Sequence, residues 1–407
     1  MTRPFFLGGL LLLMVALGLA WWASSQGHVP GASEGADSTE GAPAEEAPDD
    51  AEPTEAPSRY APIPKIDVHV HVPRSLAASA MRIFRRNGVA LALNASGSEP
   101  GARLETLAQT GRELGLHPYC HLDWRAAAAG DFASYADDTL RRCREQGAVG
   151  LKIFKGLGLG YTNEDGTLLR VDDPRLDPAF EAAGRHGLPV LIHTGDPKAF
   201  FEPNTPDNER YAELSAHPSW SFHGEIVGRD GSPTGMRWPS WESLIEQFEA
   251  RVARHPDTTF VGAHFGNAPE EPDRVDRMLD AYPNLVIETG ARIPEIGRHD
   301  PRRMRAFFEK HAERILFGTD FQMSPGGGFV LGSVGESMDP PSRIPIFYEA
   351  HWRYFETDDR GFAHPTPIQG DWTIDGLGLP REVLEQIYHR NAERIFGLEP
   401  LTSADGP

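Results

Sequence analysis

The stretch Lys65–His71, which reads KIDVHVH, decides the fold because its residues alternate as they do in a β-strand. Its three β-branched residues are predicted to face one side of the strand, and Asp67, His69 and His71 the other. In a barrel, one side of each strand packs on the surrounding helices and the other points inward. Two imidazoles would then lie at the barrel mouth, and neutral imidazole is a common zinc ligand. Alone, a His-x-His pair in a strand is weak evidence for a metal site.

Short apolar runs continue to alternate with amphipathic stretches along the chain. Each of eight predicted strands is followed by a helical pattern, which indicates an α/β fold, a closed (β/α)8 TIM barrel rather than an open sheet. The last predicted helix covers residues 381–396. The predicted strands are residues 65–70, 88–94, 117–124, 148–154, 189–193, 259–264, 284–288 and 314–318.

Two connections are too long to be plain barrel turns. They cover residues 195–240, after predicted strand five, and residues 321–379, after predicted strand eight. Both leave the carboxyl ends of strands, where barrel enzymes keep their active sites. Long loops are usually functional or disordered. Their many aromatic residues, Trp220, Trp238 and Trp352 among them, favour ordered lids.

The amino-terminal part of the chain predicts a targeting segment and a spacer. Residues 1–25 contain an uncharged apolar run, residues 5–22, which predicts a cleaved signal peptide or a signal anchor. Residues 26–58 hold nine acidic residues and no Lys or Arg, which predicts a disordered acidic linker. The barrel domain is predicted over residues 59–400, with a tail at 401–407. Either form of the amino-terminal segment predicts an extracytoplasmic barrel, periplasmic or membrane-anchored and facing outside.

The composition excludes several classes of protein. With 40% hydrophobic and 24% charged residues and a mean hydropathy of −0.41, the chain is not a polytopic membrane protein. A formal net charge of −20 disfavours a nucleic-acid partner. The two cysteines are too few for a disulfide scaffold, and we expect Cys120 and Cys143 to be buried free thiols. No Gly-x-Ser-x-Gly motif occurs, which disfavours a serine hydrolase.

Three later strand ends strengthen the case for a metal site. Predicted strand five ends at His193, strand six at His264, and strand eight is followed by Asp320. Each alone predicts only a hydrogen-bonded polar residue that closes a strand. Because a barrel brings all its strands around one mouth, the three side chains would meet the histidine pair of strand one. Such a nitrogen and oxygen set with room for water is typical of catalytic zinc sites.

These motifs resemble the amidohydrolase superfamily over about residues 60–398. The resemblance rests on the DVHVH, LIH, AH and GTD motifs at the strand ends and on the closing NAERIF, Asn391–Phe396. The chain is similar to the branch that includes aromatic-acid decarboxylases and lactone hydrolases.

The resemblance implies a metal centre with His69, His71, His193 and Asp320 as ligands. Asp320 would also take the proton from an attacking water, and His264 would hydrogen-bond that water or the substrate oxygen. Zn2+ is the expected ion, with Mn2+ or Fe2+ as alternatives. One ion is favoured over two.

Lys152 decides the number of ions, because it is predicted to point inward from strand four. It would either bridge a second metal as a carboxylated lysine, bind the substrate carboxylate, or pair with an acid such as Glu288. Glu288 ends strand seven and would either orient a ligand histidine or pair with Arg292. Asp67, one layer below His69, is expected to support the ligands or to cap the strand. Further cationic side chains at the same face are candidates for binding an anionic substrate or are simply solvated, namely Arg74, Lys155, Lys198, His223 and Arg292.

The main functional hypothesis is a metal-dependent hydrolase that uses activated water on a small amide, lactone or ester. The alternative is a metal-dependent decarboxylase on the same scaffold, and a non-catalytic envelope binding protein is a third reading. The intact ligand set disfavours the third, and a place outside the cytoplasm favours hydrolysis over a lyase of central metabolism. The expected partner is a small-molecule substrate, with membrane contact only through the amino-terminal segment. A homodimer is left open.

Overall fold

The computed structural model describes residues 60–128, 130–228 and 232–401. The predicted targeting segment, residues 1–25, and linker, residues 26–58, lie outside these residues, as does nearly all of the predicted tail. No helix in the described part of the chain is long and apolar enough to cross a bilayer.

The barrel is built from short strands whose carboxyl ends hold the predicted site. The strands of the described residues are β1 Lys65–His71, β2 Val89–Ser98, β3 Leu116–Cys120, β4 Leu151–Ile153, β5 Val190–Ile192, β6 Glu225–Val227, β7 Pro233–Arg237, β8 Phe260–Gly262, β9 Leu285–Glu288, β10 Ile315–Leu316, β11 Phe321–Met323, β12 Phe329–Leu331, β13 Phe362–Ala363 and β14 Thr373–Ile374.

Ten of these strands form one curled sheet in the order β10-β9-β8-β5-β4-β3-β2-β1-β11-β12. Only the pairing of β11 with β12 is antiparallel in it. The sheet closes between β1 and the eighth barrel strand, because Val68 N–H donates to Phe317 O at 3.0 Å and Asp320 N–H to His69 O at 2.8 Å. The predicted TIM-barrel-like fold is therefore confirmed.

The eighth barrel strand differs from its prediction, because it is split into β10 and β11. Asp320 lies between the two halves with a φ of 57°, in the left-handed region that side chains other than glycine rarely adopt. Pairing with β1 resumes at Phe321. The break lets the Asp320 side chain leave the strand at the barrel mouth.

Helices cover the barrel, and their apolar faces pack on the outer faces of the strands. One hydrophobic cluster joins helices and strands, and a second fills the barrel interior with residues from β1, β2, β3, β5, β8, β9 and β10. The described α-helices of five or more residues are α1 Ala77–Arg86, α2 Ala102–Leu114, α3 Phe132–Glu145, α4 Asp177–Arg185, α5 Tyr211–Ala216, α6 Trp241–Arg254, α7 Pro272–Ala281, α8 Ile293–Gly297, α9 Pro301–Lys310, α10 Arg343–Glu356, α11 Arg381–Glu385 and α12 Asn391–Phe396.

The strict alternation predicted for β1 is wrong in its first half. Ile66 and Val68 pack in the interior cluster rather than against the helices, whereas Val70 joins the outer cluster. The register of β1 against β2 is irregular between Asp67 and Val70, as at a β-bulge, which resets the two faces. His69 can therefore point inward although Val68 does so too. Asp67 lies between two inward residues and leaves the inner face.

Both long connections are ordered where the structure describes them. The first contains α5 and the β6–β7 hairpin, and the second contains β12, α10 and the small β13–β14 sheet. They meet through buried polar groups: Arg210 donates to Glu213 at 3.0 Å, and Ser333 hydrogen-bonds the same carboxylate. Aromatic side chains line the first connection, with Phe222 and Trp238 edge to face at 5.1 Å. These contacts fix both connections above the strand ends.

The expectation of two free thiols is wrong, because Cys120 and Cys143 form a disulfide. Their Cα atoms lie 5.9 Å apart, within the range that a disulfide needs. The bond ties the end of β3 to α3, which pack side by side. Sequence position alone did not show this, because the two cysteines were assigned to different kinds of element.

Candidate metal centre and active site

His69 is fixed in one orientation by groups on both sides of its ring. Its Nδ1 donates to Glu288 Oε1 at 3.1 Å, since a carboxylate only accepts. The other nitrogen, Nε2, accepts from Lys152 Nζ at 2.9 Å. All three side chains are almost completely buried, and burial holds the pKa of His69 well below its ordinary value. A neutral ring with a lone pair on Nε2 is the form that binds a metal.

His71 presents the same nitrogen to the same point. Its Nδ1 is hydrogen-bonded to Ser96 Oγ at 3.0 Å, and its Nε2 lies 3.5 Å from Asp320 Oδ1. Asp320 Oδ1 is also 3.8 Å from His69 Nε2. The three ligand atoms lie within 4.8 Å of one another. Two nitrogens with outer partners and one carboxylate oxygen suit a divalent cation, so these residues fit the ion that the motifs predict.

Burial determines how readily the Asp320 carboxyl ionises. Burial raises the pKa of its carboxyl to about 7, and the nearby Lys152 opposes this rise. Lys152 is itself buried, which lowers the pKa of its amine to about 8. A divalent cation between the histidines and Asp320 would favour the ionised carboxylate. It would also require Lys152 Nζ to release His69 Nε2.

His264 is held in an unusual backbone conformation. Both His264 and Phe265 have left-handed φ angles, 55° and 59°, a strain that proteins tend to keep at functional sites. The His264 N–H donates to Glu288 Oε1 at 2.6 Å, and its Nδ1 donates to Gly290 O at 2.8 Å. Its ring lies 5.1 Å from that of His69 and 4.3 Å from that of His193, between centroids. Nδ1 is therefore occupied, which leaves Nε2 for water or substrate.

His193 stands at the same mouth but has its own partner. Its Nε2 donates to Asp196 Oδ1 at 3.1 Å, so Nδ1 is the nitrogen that remains for a metal. Asp196 is 5% exposed and also accepts from Lys155 Nζ at 2.5 Å. Lys155 Nζ in turn lies over the rings of Trp220 and Phe222, 5.9 and 5.4 Å from their centroids. Among the described residues, His193 does not join the cluster of ligand atoms formed by His69, His71 and Asp320, but its ring lies 4.3 Å from that of His264, between centroids.

The remaining predicted site residues occupy different surroundings. Glu288 accepts from His69, His264 and Gly290, so it supports two histidines and forms no ion pair with Arg292 among the described residues. Asp67 accepts from Thr319 and from its own strand at His69 N–H, a role in closing the strand.

The cationic side chains predicted on the loops fall into two groups, those with partners elsewhere and those close to the histidines. Lys198 pairs with Glu271, His223 hydrogen-bonds Phe201 O, and Arg74 is exposed. Only Lys155 and the buried Arg292 remain close to the histidines. Sequence analysis missed Asp196, and its place three residues after a strand-ending histidine was the available signal.

Three solved structures illustrate the resemblance of fold. The first is 2,6-dihydroxybenzoate decarboxylase from Rhizobium, with 15% identity, coverage of 83% of this chain and 99% of that chain, and a TM-score of 0.45. The second is an uncharacterised TIM-barrel protein from Bordetella bronchiseptica, with 16% identity, coverage of 83% and 99%, and a TM-score of 0.47. The third is a dihydroxybenzoic acid decarboxylase from a Polaromonas species with bound manganese and an inhibitor, with 13% identity, coverage of 84% and 99%, and a TM-score of 0.47. Likenesses of this size say nothing about the reaction or substrate of this chain. No curated protein sequence matches it.

The sequence itself gives the firmer comparison. The family model described as Amidohydrolase matches residues 66–398, from the first barrel strand to the last helix. The match spans all of the strand ends that form the centre and confirms the resemblance drawn from their motifs. The protein therefore belongs to the amidohydrolase family.

Proposed function

We propose that this protein is a metal-dependent enzyme that decarboxylates a small organic acid. The observation that carries the proposal is the convergence of His69 Nε2, His71 Nε2 and Asp320 Oδ1 within 4.8 Å at the barrel mouth. A divalent ion held there supplies a Lewis acid for a carboxylate or carbonyl oxygen. We further propose His193 Nδ1 as a fourth ligand, with Zn2+ as the first choice and Mn2+ or Fe2+ as alternatives.

We propose one ion per chain, because the ligand atoms of His69, His71 and Asp320 form one cluster at the barrel mouth. Lys152 would then be a charged neighbour of the substrate, since its amine lies 2.9 Å from His69 Nε2. About two ions per chain in the elemental analysis would instead indicate that Lys152 is carboxylated and bridges them.

The charge of the mouth favours an anionic substrate, as a decarboxylase requires. Asp67 is a further buried acid, which accepts from His69 N–H, and burial raises its pKa to about 7. With a divalent ion bound, the mouth carries surplus positive charge even when Asp67 is ionised. Such a surplus stabilises a carboxylate. Three cationic and three acidic side chains share this mouth, namely Lys152, Lys155, Arg292, Asp196, Glu288 and Asp320.

In such a reaction, the bond between the carboxylate carbon and its neighbour breaks, carbon dioxide leaves, and the remaining carbon takes a proton. A water at the centre would supply that proton, and we propose that Asp320 and His264 Nε2 accept it and pass it on, because both face the centre. His264 keeps one tautomer through Gly290 O. The aromatic side chains of the first long connection, such as Phe222 and Trp238, would exclude water.

Hydrolysis of an amide, lactone or ester is the second candidate. It is favoured by Asp320, whose Oδ1 lies 3.5 Å from His71 Nε2 and 3.8 Å from His69 Nε2, the place for a base that takes a proton from water.

One experiment tests the class of enzyme and separates the two reactions. The purified protein is loaded separately with Zn2+, Mn2+ and Fe2+, and bound metal is measured by elemental analysis. A panel of aromatic and aliphatic acids is then assayed for carbon dioxide release, and a panel of lactones, amides and esters for acid release. We expect about one ion per chain, carbon dioxide release, and a loss of about 100-fold or more in Asp320→Asn. Failure to retain any ion would refute the proposal, whereas acid release alone would establish the hydrolase.

We also propose that the domain works outside the cytoplasm as a single chain or a homodimer, without a nucleic-acid partner and with membrane contact only through its amino-terminal segment. The Cys120–Cys143 disulfide supports this location, because such bonds persist in oxidising compartments. Cell fractionation with alkylation of free thiols tests it. Cytoplasmic protein with two reactive thiols would contradict the proposal.

A further inference from the structure

Arg292 follows the end of β9 in a rigidly held turn. Ala291 has a left-handed φ of 57°, and its N–H donates to Thr319 O at 3.1 Å. Gln369, from the second long connection, donates to Ala291 O at 3.2 Å. Arg292 Nη1 donates to that same carbonyl at 3.0 Å. The turn therefore positions a guanidinium beside the eighth barrel strand.

This guanidinium is buried without an acidic partner. Arg292 is 6% exposed, yet no carboxylate in the described part of the chain forms an ion pair with it. The other deeply buried arginines do have such partners: Arg210 pairs with Glu213, and Arg251 with Asp177. The charge of Arg292 acts on the carboxyls of Glu288 and Asp320, but neither forms an ion pair with it, so no carboxylate of the described residues occupies its guanidinium fork. Such a charge beside an active site is suited to an anion brought by a ligand.

Arg292 lies on the His264 side of the centre, because Gly290, two residues before it, accepts from His264 Nδ1 at 2.8 Å. Its charge helps to lower the pKa of His264 and of His69, and it opposes the rise in the pKa of Asp320. A group bound at Arg292 would thus lie beside a group held by His71 and Asp320.

We propose that Arg292 binds a second carboxylate of the substrate, distinct from the group that reacts, so that the substrate is a dicarboxylic acid. This inference rests on the proposed function for the reacting group. The planar fork of a guanidinium matches the two oxygens of a carboxylate.

Calorimetric binding to the metal-loaded full-length protein tests the proposal. Succinate, glutarate and phthalate are compared with their monomethyl esters, using wild type, Arg292→Lys and Arg292→Gln. Arg298→Gln is the matched control, since Arg298 lies nearby on the chain but pairs with Glu209 at 2.8 Å. Circular dichroism and metal content establish that each variant is folded and loaded.

We expect at least one diacid to bind about tenfold or more tightly than its monoester. Arg292→Gln should lower that affinity about 10- to 100-fold and leave monoester binding unchanged. Arg292→Lys should lose about tenfold, because it keeps the charge but loses the fork. Arg298→Gln should bind as wild type does.

Two results would overturn the inference: a wild type that does not prefer diacids, or Arg292 variants that bind them undiminished. Its failure is separable from that of the proposed function. Diacid binding that depends on Arg292 without release of carbon dioxide would refute only the decarboxylase. Turnover of acids with an unchanged KM in Arg292→Lys would refute only the role of Arg292.

Discussion

Replacing Glu288 by glutamine tests how the metal centre is held together. The carboxylate accepts from His69 Nδ1 at 3.1 Å, from His264 N–H at 2.6 Å and from Gly290 N–H. Glutamine has the same shape, but its amide turns two acceptor positions into donors. At least one of the three N–H groups must then face another donor. Because residue 288 is 0% exposed, water cannot replace the lost acceptor.

The structure sets the size of the expected effect. A buried donor left without an acceptor costs about 1–3 kcal/mol, and we expect Glu288→Gln to lose about that much free energy of unfolding. Loss of an outer partner of a ligand histidine typically weakens metal binding about 10- to 100-fold. That corresponds to about 1.4–2.7 kcal/mol of binding free energy. The metal affinity should fall because a neutral amide makes His69 a weaker ligand than a carboxylate does, even where the amide oxygen takes the place of Oε1 and still accepts from His69 Nδ1.

Competition with a fluorescent chelator measures the affinity, and urea unfolding of the metal-free protein measures the stability. Glu295→Gln is the matched control: Glu295 is also 0% exposed, but its partner is Arg210 rather than a histidine of the centre. It should lose stability without losing metal affinity. If Glu288→Gln binds the ion as tightly as wild type does, Glu288 does not orient His69 as a ligand.

Three further predictions concern other parts of the fold. Asp196→Asn should weaken metal binding about tenfold, because Asp196 fixes the ring of His193 through Nε2. Competition with a chelator measures this affinity. An unchanged affinity would show that His193 is not a ligand. Burial lowers the pKa of His351 to about 4. As the pH falls, the unfolded chain therefore takes up a proton before the folded chain does. The free energy of unfolding should fall by up to about 3 kcal/mol as the pH drops from 6.5 to 4. His351→Asn should reduce that loss in urea unfolding at the two pH values, and an equal loss in both proteins would contradict the assignment. The disulfide between Cys120 and Cys143 spans 23 residues in sequence, and its removal in Cys143→Ala should cost about 3 kcal/mol; a variant that unfolds at the same urea concentration as untreated wild type would show that the bond does not form.

Much of the site was predictable because strand ends are local features of the chain. A short apolar run that stops at a histidine or an aspartate can be seen without knowing its neighbours, and His69, His71, His264 and Asp320 do meet at one mouth. Barrel closure then brings them together whatever the loops do. The same argument is weaker for His193, because its Nε2 donates to Asp196 rather than pointing at the metal cluster.

The errors share one cause, which is that each prediction considered a single element at a time. Asp67 was expected below His69 on the inner face, but the irregular register of β1 against β2 moves it away. The pairing of Cys120 with Cys143 likewise depends on how β3 and α3 pack. Neither can be inferred from the residues of one element.

The sequence by itself determined the barrel, its family and the residue types at its mouth, since periodicity and strand-end motifs are carried by neighbouring residues. Only the tertiary structure decided which nitrogen of each histidine is free, that Lys152 donates to His69, and that Arg292 is buried without an acid. The physical reason is that hydrogen-bond partners and desolvation are properties of groups far apart in the chain. They exist only after the strands have found their register.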